Sequence, residues 1–398
     1  MGQDQLHVVF GTGQVGQALV THLATLGVAV RAVSRHRPAG LAGPGTNADW
    51  RPVDATDPEA AADAAKGASV VYQCLNAPYS RWPERFPPLQ RGVLAAAERN
   101  GALLVSLENV YGYGPTEGRP MTEDLPLAAT TVKGRIRAAM TGELLAAAAA
   151  GRIRIAIGRA SDFFGPGVTQ GSTLGERVFG NALDGRRADF IGDPDLPHSY
   201  SYVPDIAAGL ATLGTDDRAI GEVWHLPGPE TVTTRALIHL VAVEVGHPVA
   251  IRGLSKLAQR GLGLINPTLR ELAEMAYQFD QPFILDTSKY DATFGAAGTR
   301  LPAAISATLA WYRTRTSTSL PRSGPAPSQP PGPSQAGPAL TSGPGHHRRP
   351  AAFRARYASA RAGGRRSGGA STTTTPRRRS SSAMRERSAW ARSAAAAA

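Results

Sequence analysis

A doubly wound α/β fold on a parallel sheet is what this sequence predicts, and three observations support it. Short apolar segments alternate with helical segments over roughly the first 160 residues, which is typical of parallel sheets covered by helices. The first apolar segment runs into a glycine-rich turn and then into a helical pattern. Periodicity ends near residue 315, so the ordered fold should end there as well.

The first strand, turn and helix organise the rest of the chain. Residues Leu6 to Phe10 (LHVVF) are apolar and β-branched, and the segment is short enough for a buried strand. After the turn, Val15, Leu19 and Leu23 recur at helical spacing, and Gly27 is a natural C-cap. The sequence GTGQVG therefore lies between a strand and a helix.

Such a turn can seat a diphosphate. Gly11 permits the bend, Gly13 lets the backbone approach the anion, and Gly16 lets the helix pack closely on the strand. Gln14 and Val15 open the helix, whose free N–H groups attract the anion. A structural glycine turn is the alternative, but the flanking strand and helix favour dinucleotide binding.

The end of the second strand bears on the choice of dinucleotide. The segment Val28 to Pro38 runs into Ser34, Arg35, His36 and Arg37. A carboxylate here would bind the ribose 2′-hydroxyl of NAD, and none is present. The basic residues favour NADP(H) over NAD(H), although they could instead be solvated surface charge.

The alternation continues along the chain. The predicted elements are a third strand ending at Val53 and Asp54, a helix from Pro58 to Lys66, a strand from Ser69 to Leu75, a helix from Leu89 to Asn100, a strand from Leu103 to Leu107, an alanine-rich helix ending near Gly151 and a strand from Ile153 to Gly158. Six strands wound in this way predict a Rossmann domain.

The second half predicts a smaller, mostly helical lobe. A strand from Glu222 to Leu226 precedes a helix capped by Thr233 or Thr234. Further helices are predicted over 255–261, 267–278 and 302–313. We expect one domain over 1–315, with a Rossmann core at about 1–165 and 199–226 and a substrate lobe at about 166–198 and 227–315.

The C-terminal segment 316–398 is predicted to be a disordered tail. Pro, Gly and Ser dominate it first, and Arg, Ala, Ser and Thr follow. Its 14 arginines and one glutamate give the tail a net charge of +13. The whole chain has a net charge of +12, so residues 1–315 have a net charge of −1. The tail could bind nucleic acid or anionic surfaces non-specifically, or be an unselected extension. We expect no specific nucleic-acid partner.

The remaining composition favours a cytoplasmic protein with a small-molecule substrate. Cys74 is the only cysteine, and it lies in an apolar segment, which excludes an intramolecular disulfide and fits a reducing compartment. We expect no membrane association, because no secretory leader pattern and no apolar segment of membrane-spanning length occur. His, Cys and Asp show no metal-ligand spacing. A monomer or a homodimer is expected.

Several motifs, in order, resemble one known family. They are GTGQVG, Asp54 after the third strand, VSLENVYG (105–112), EDLP (123–126), GRASDFFGPG (158–167) and SYVPDIA (201–207). Together they resemble the landmarks of the NAD-dependent epimerase/dehydratase family, the extended short-chain dehydrogenases/reductases. The resemblance spans about residues 6–315, and a GxGxxG turn is usual in the atypical branch.

The resemblance implies a set of cofactor contacts. By position, the three turn glycines would hold the diphosphate, and Asp54 would reach the adenine. Asn76 and Ala77, at the end of the fourth strand, would line the cofactor. The implied activity is oxidoreductase or epimerase chemistry on a carbonyl or hydroxyl substrate, such as a nucleotide sugar or a related small molecule.

The catalytic positions depart from the family. The family places Ser or Thr four residues before the Tyr of VYG, and here that residue is Leu107, with Ser106 one position away. Its Tyr and Lys are spaced YxxxK, yet no tyrosine in this chain has a lysine four residues later. One register puts Lys133 in the Tyr slot and Arg137 in the Lys slot, whereas another puts Ala129 and Lys133 there.

Three interpretations remain open. The first is catalysis with substitutes: Lys133 as a cation near the nicotinamide ribose, and Tyr111, Tyr113 or Glu108 as proton donor or acceptor. A tyrosine of ordinary pKa needs a nearby cation to act as a base. The second is a non-catalytic NADP(H)-binding sensor or regulator, and the third is a scaffold.

Other residues could face the substrate. His198, in DPDLPHSYSYVPDIA, lies where family members often contact it. Tyr79, Arg81, Trp82 and Arg85 are predicted to lie in a loop after the fourth strand, where the aromatic residues could reach a substrate and the arginines could hold an anionic group. Ordinary packing is the alternative for each.

Overall fold

The predicted parallel sheet is confirmed in a computed structural model that describes residues 5–41, 48–254, 274–295 and 297–319. Within these residues its strands are β1 (Leu6–Phe10), β2 (Ala29–Ser34), β3 (Asp49–Pro52), β4 (Ala68–Gln73), β5 (Leu103–Asn109), β6 (Arg154–Ala160) and β11 (Val223–His225). Their order is β11-β6-β5-β4-β1-β2-β3, and every neighbouring pair is parallel. This is the Rossmann order with one further strand at the β6 edge.

Helices cover both faces of the sheet. The described helices are α1 (Gln14–Thr25), α2 (Pro58–Ala64), α3 (Trp82–Asn100), α4 (Val132–Ala149), α5 (Asn181–Leu183, continuing a π-helical segment Gly175–Gly180), α6 (Val203–Thr215), α7 (Thr234–Val245), α8 (Ser288–Phe294) and α9 (Leu301–Ser319). Apolar residues of α1 and α6 form one core against the sheet, and those of α2, α3 and α4 form a second core on the opposite face.

Strand register brings the carboxyl ends of the central strands together. Phe10 pairs with Gln73, Gln73 with Ser106, and Ser106 with Ile157. Open α/β sheets bind ligands at this edge. Gln73 and Ser106 are buried there, and neither side chain has a hydrogen-bond partner.

The second lobe is built from short strand pairs and helices. Its strands are β7 (Asp162–Phe164) paired with β10 (Tyr200–Tyr202), β8 (Ala188–Ile191) paired with β13 (Ile251–Leu254), and β9 (Pro197–His198) paired with β12 (Val232–Thr233). Its apolar core joins these strands to α7 and α9. Thr233 caps α7 by accepting a 3.1 Å hydrogen bond from the Ala236 N–H.

The prediction was wrong about the start of α3. The segment assigned to a loop is helical from Trp82, seven residues before Leu89. Pro83 fits a first helical turn, but the adjacent Pro87 and Pro88 would ordinarily end a helix. Buried aromatic side chains of this segment hold it in place.

The predicted domain boundary at 315 falls inside a described helix. Helix α9 continues to Ser319, past the predicted boundary at 315. The helix predicted over 255–261 and most of the one predicted over 267–278 lie outside the described residues, and so does the tail from residue 320. Among the described residues, none of the helices is long and apolar enough to cross a membrane.

Candidate active site

Backbone sterics fix two of the three turn glycines. Gly11 has φ +97°, and a Cβ there would lie 2.7 Å from the carbonyl of Cys74 on the neighbouring strand end. A Cβ on Gly16 would lie 1.8 Å from the Gly11 oxygen. Neither position can carry a side chain, because the β1 turn, α1 and the end of β4 are in direct contact.

Gly13 is different, because a Cβ there would meet open space. It is the N-cap of α1, and it offers no side-chain cap to the helix. The first turn of α1 also contains no acidic residue, so its N–H groups and positive dipole end face an unfilled position. This arrangement fits a diphosphate.

Gln14 and Val15 open α1 in different environments. Val15 is buried in the core between α1 and the sheet. Gln14 is half-buried, and its Nε2 donates a 3.3 Å hydrogen bond to the Gln170 carbonyl. A segment that follows β7 therefore touches the glycine turn.

The end of β2 is polar, and its serine is fully engaged. The Ser34 hydroxyl accepts hydrogen bonds from the Thr12 hydroxyl (2.8 Å) and the Trp50 indole (3.0 Å), and it donates to the His36 carbonyl (2.8 Å). Arg35 is exposed beside it. The serine thus orders the turn, while the Arg35 guanidinium is directed to solvent.

Asp54 lies at the end of β3, near Arg35. Its Oδ1 accepts hydrogen bonds from the Thr56 N–H (3.0 Å) and the Thr56 hydroxyl (2.9 Å). These bonds, the backbone one first, lower the pKa of Asp54, and the charges of Arg35 and Arg85 act in the same direction. Asp54 is therefore a fixed carboxylate just after β3, at the carboxyl edge of the sheet.

Asn76 and Ala77 follow β4. Asn76 is exposed, and its Oδ1 accepts a 2.9 Å hydrogen bond from the Ala77 N–H. Ala77 is buried, and its carbonyl accepts a 2.9 Å hydrogen bond from the Trp82 indole. This contact anchors the start of α3 to the sheet edge. Trp82 is therefore a buried helical residue and not a loop residue.

Lys133 and Arg137, which one register of the family pattern aligns with its Tyr and Lys, lie one turn apart on α4. Lys133 is buried, and its ammonium is 3.3 Å from Glu274 Oε2 and 5.3 Å from the Tyr79 ring centre. The Lys133 N–H also donates to Glu274 Oε1 at 3.1 Å. Ala129, the other candidate for the Tyr slot, precedes α4.

Arg137 is a buried cation among aromatic rings. Its guanidinium lies 4.5 Å from the Phe86 ring centre and 5.7 Å from that of Trp82. Its Nε and Nη1 atoms are buried without a hydrogen-bond partner. Burial lowers the pKa of Arg137, although Glu108 opposes this shift. A buried guanidinium with unused donors is costly unless a ligand supplies acceptors.

The phenol side chains of Tyr79 and Tyr111 contact each other beside Lys133. The Tyr79 and Tyr111 hydroxyls are 2.5 Å apart. Burial raises the pKa of Tyr79 to about 12 and raises that of Tyr111 well above its usual value. Both phenols therefore keep their protons at neutral pH, and they can donate hydrogen bonds but cannot act as bases.

The other two proton-transfer candidates belong to a buried network. Glu108 accepts a 2.8 Å hydrogen bond from Thr141 and pairs with Arg159 at 3.2 Å. Arg159 donates to the Tyr113 hydroxyl at 2.6 Å, and that hydroxyl is 2.7 Å from His225 Nε2. Glu108 and Tyr113 are thus both hydrogen-bonded inside the protein, and Arg159 is a partner of both.

A pair that the sequence analysis did not find lies after β6. His198 Nε2 is 3.0 Å from Asp162 Oδ2. The His198 ring stacks on Tyr200 and Phe283, with ring centres 4.5 and 5.0 Å away. His198 was a sequence candidate, whereas Asp162 was quoted only within GRASDFFGPG, and nothing in the local pattern signals the pair. In the described part of the chain, no His, Cys, Asp or Glu cluster could hold a metal ion.

The strand order, the helix without a side-chain cap and the open space beside Gly13 define a Rossmann protein. Comparison with known sequences is more specific. The chain belongs to the NAD dependent epimerase/dehydratase family, whose model matches residues 8–226, more than half of the chain. No curated protein matches it.

Solved structures share this fold. The UDP-glucuronic acid 4-epimerase from Bacillus cereus in complex with NAD is 17% identical, covers 78% of this chain and 99% of its own, and has a TM-score of 0.64. DesIV, a dTDP-glucose 4,6-dehydratase from Streptomyces venezuelae, is 18% identical over 79% and 98% of the chains, with a TM-score of 0.65. MoeE5 in complex with UDP-glucose and NAD is 21% identical over 79% and 100%, with a TM-score of 0.63.

Proposed function

We propose that this protein is an NAD(P)-dependent oxidoreductase or epimerase that acts on a carbonyl or hydroxyl compound. The observation that carries the proposal is the glycine turn: Gly11 and Gly16 are required by backbone contacts, whereas Gly13 leaves open space at an uncapped helix N-terminus. Nucleotide sugars are the first substrates to test, because MoeE5, one of the solved structures named above, is in complex with UDP-glucose.

The described residues fit a nicotinamide dinucleotide. Gly13 and the N–H groups of Gln14 and Val15 would face its diphosphate, while Asp54, Asn76 and Ala77 would line it. At the nicotinamide end, Arg137 offers two unused buried donors, with Lys133 one helical turn before it. A bound dinucleotide supplies the hydride acceptor or donor.

The basic end of β2 supports NADP over NAD. Arg35 is exposed, and no carboxylate stands where one would bind a ribose 2′-hydroxyl. The Ser34 hydroxyl is held by Thr12 and Trp50, so the backbone that presents Arg35 is ordered. A guanidinium presented from this backbone suits a 2′-phosphate.

Tyr111 and Lys133 are the proposed catalytic side chains. Because burial keeps the Tyr111 phenol protonated, it would donate a hydrogen bond to the substrate oxygen and stabilise negative charge there. Lys133, paired with Glu274 and close to Tyr79, would orient the phenol pair and keep positive potential beside it.

Charge placed on the open glycine tests dinucleotide binding. Gly13→Asp puts a carboxylate where a diphosphate would lie, without an internal clash. We expect wild type to show a thermal shift with NADP and a smaller one with NAD. Gly13→Asp should show neither shift, and its melting temperature without nucleotide should equal that of wild type or exceed it, because Asp is a favourable N-cap. Gly142→Asp, also in open space, is the matched control. Absence of a shift in wild type with both nucleotides would refute the proposal.

A non-catalytic sensor or regulator is the second candidate. It is favoured by the apolar cluster of Trp82, Phe86, Met140 and Met275 around Tyr111, which fills the region next to α4. NADPH consumption with a panel of carbonyl compounds separates the two. Turnover that Lys133→Ala abolishes supports an enzyme, whereas binding without turnover on any compound supports a sensor.

A further inference from the structure

The proposed oxidoreductase needs a group that accepts and returns a proton, and the phenols in front of α4 do not supply it. Tyr79 and Tyr111 bond to each other at 2.5 Å in a buried environment that keeps both protonated. Glu108 is buried, accepts a hydrogen bond from Thr141 and forms an ion pair with Arg159. A different acid/base group is required.

We propose that Asp162 is this group and that His198 positions it. The inference rests on the proposed function. The solvent-exposed fraction of the side chain is 17% for Asp162 and 4% for His198. The carboxylate is therefore the member of the pair that a ligand can reach. His198 is held among Tyr200, Phe279 and Phe283, and it fixes the carboxylate through the 3.0 Å hydrogen bond.

The fold places Asp162 and the phenol Tyr111 at the same edge of the sheet. Asp162 begins β7 immediately after β6, at the same sheet edge as Tyr111 after β5. Its negative charge contributes to the raised pKa values of Tyr79, Tyr111 and Tyr277. The Tyr277 hydroxyl is buried without a partner and lies two residues before Phe279, which stacks on His198.

The proton transfer balances as follows. A substrate O–H bond breaks, an O–H bond forms on an Asp162 carboxylate oxygen, and the electron pair left on the substrate oxygen forms the carbonyl. The hydride that leaves the substrate carbon is taken by the oxidised nicotinamide dinucleotide. In the reducing direction, protonated Asp162 returns the proton to the carbonyl oxygen. Phenolic hydrogen bonds from Tyr111 stabilise the oxygen in both directions.

The test compares turnover and dinucleotide binding in the full chain. With any substrate that wild type converts, Asp162→Asn should lower kcat by about 100-fold or more. Its NADPH affinity and melting temperature should match wild type. Asp195→Asn, which alters an exposed Asp195–Arg235 pair, is the matched control and should retain full activity.

Chemical rescue separates a proton-transfer role from a structural one. Formate should restore turnover to Asp162→Ala, and chloride at equal ionic strength should not. His198→Phe, which keeps a ring but cannot hydrogen-bond to Asp162, should lower kcat and leave NADPH affinity unchanged, whereas His198→Gln, which can still donate to the carboxylate, should retain more activity.

The outcomes are distinct. Full activity in Asp162→Asn, or loss of activity that formate does not restore, would overturn the role of Asp162 while leaving the proposed function intact. Nucleotide binding without turnover of any substrate by wild type would overturn both.

Discussion

The two ends of the candidate site are held together by different forces. At the nucleotide end, β1, Gly11 and Gly16 fit by backbone contact, and the side chains contribute little. At the substrate end, large side chains decide the arrangement: Tyr79 on Tyr111, Arg137 on Phe86, and His198 on Asp162. Backbone sterics tolerate very few residues, whereas side-chain packing admits many combinations. The first end can therefore accept few substitutions, whereas the second can accept many.

Breaking the nucleotide end at its tightest point should have the largest effect. Gly16→Val puts a Cβ 1.8 Å from the Gly11 oxygen, and neither backbone segment can move without disrupting the β1 turn. We expect a loss of about 3 kcal/mol or more in the free energy of unfolding, measured by urea denaturation. Gly142→Val, an exposed helical glycine with open space, should be neutral or stabilising. Equal effects of the two changes would refute the steric account.

A pH titration compares one buried histidine from each region. His7 on β1 bonds to Tyr72, and His225 bonds to Tyr113 beside the substrate end. Burial lowers the pKa of each to about 4. As the pH decreases from 6.5 to 4, these histidines take up protons in the unfolded chain but not in the folded chain. The free energy of unfolding therefore decreases over this range by about 3 kcal/mol for each histidine.

Glutamine at either histidine removes its share of this pH dependence. His7→Gln and His225→Gln should each flatten the slope of unfolding free energy against pH, measured by chemical denaturation across the acid range. Above pH 7 the slope should match wild type. A slope that survives in both variants would contradict the assignment to these residues.

Replacing the buried cation sharpens the comparison at the substrate end. Arg137→Met keeps the volume and removes a charge with unpartnered donors, so the protein without nucleotide should gain about 1 kcal/mol or more of stability. Affinity for the dinucleotide should fall about tenfold, or about 1.4 kcal/mol, by isothermal titration. A loss of stability together with unchanged affinity would show that Arg137 is structural.

The smallest expected effect concerns the preference between nucleotides. Arg35→Ser should weaken NADP binding about fivefold and leave NAD binding unchanged, because only the 2′-phosphate gains from the exposed guanidinium. Arg91→Ser, an exposed change on α3, is the control. Equal weakening of both nucleotides would contradict the NADP preference.

Much of the fold was predictable from local pattern. The strand Leu6–Phe10 agrees with the prediction to the residue, and several of the family motifs lie at the ends of the strands. Local pattern works here because strand alternation and glycine turns depend on neighbours in sequence. The start of α3 was missed for the same reason: Pro87 and Pro88 suggest a break, and the tertiary contacts of Trp82 override it.

The substrate end could not be predicted, because its pairs join distant parts of the chain. Asp162 meets His198 across 36 positions, and Lys133 meets Glu274 across 141. Neither pair leaves a periodic signal, and each depends on how the second lobe packs on the sheet. The sequence indicated only that the usual YxxxK pair is missing.

The prolines of α3 carry a consequence for motion. A proline has no amide hydrogen, so positions 87 and 88 cannot donate to the carbonyls of Pro83 and Glu84 one turn earlier. Unwinding this end of the helix therefore breaks two fewer backbone hydrogen bonds than unwinding an ordinary turn. The aromatic side chains beside Tyr111 can consequently loosen while the remainder of the helix stays wound.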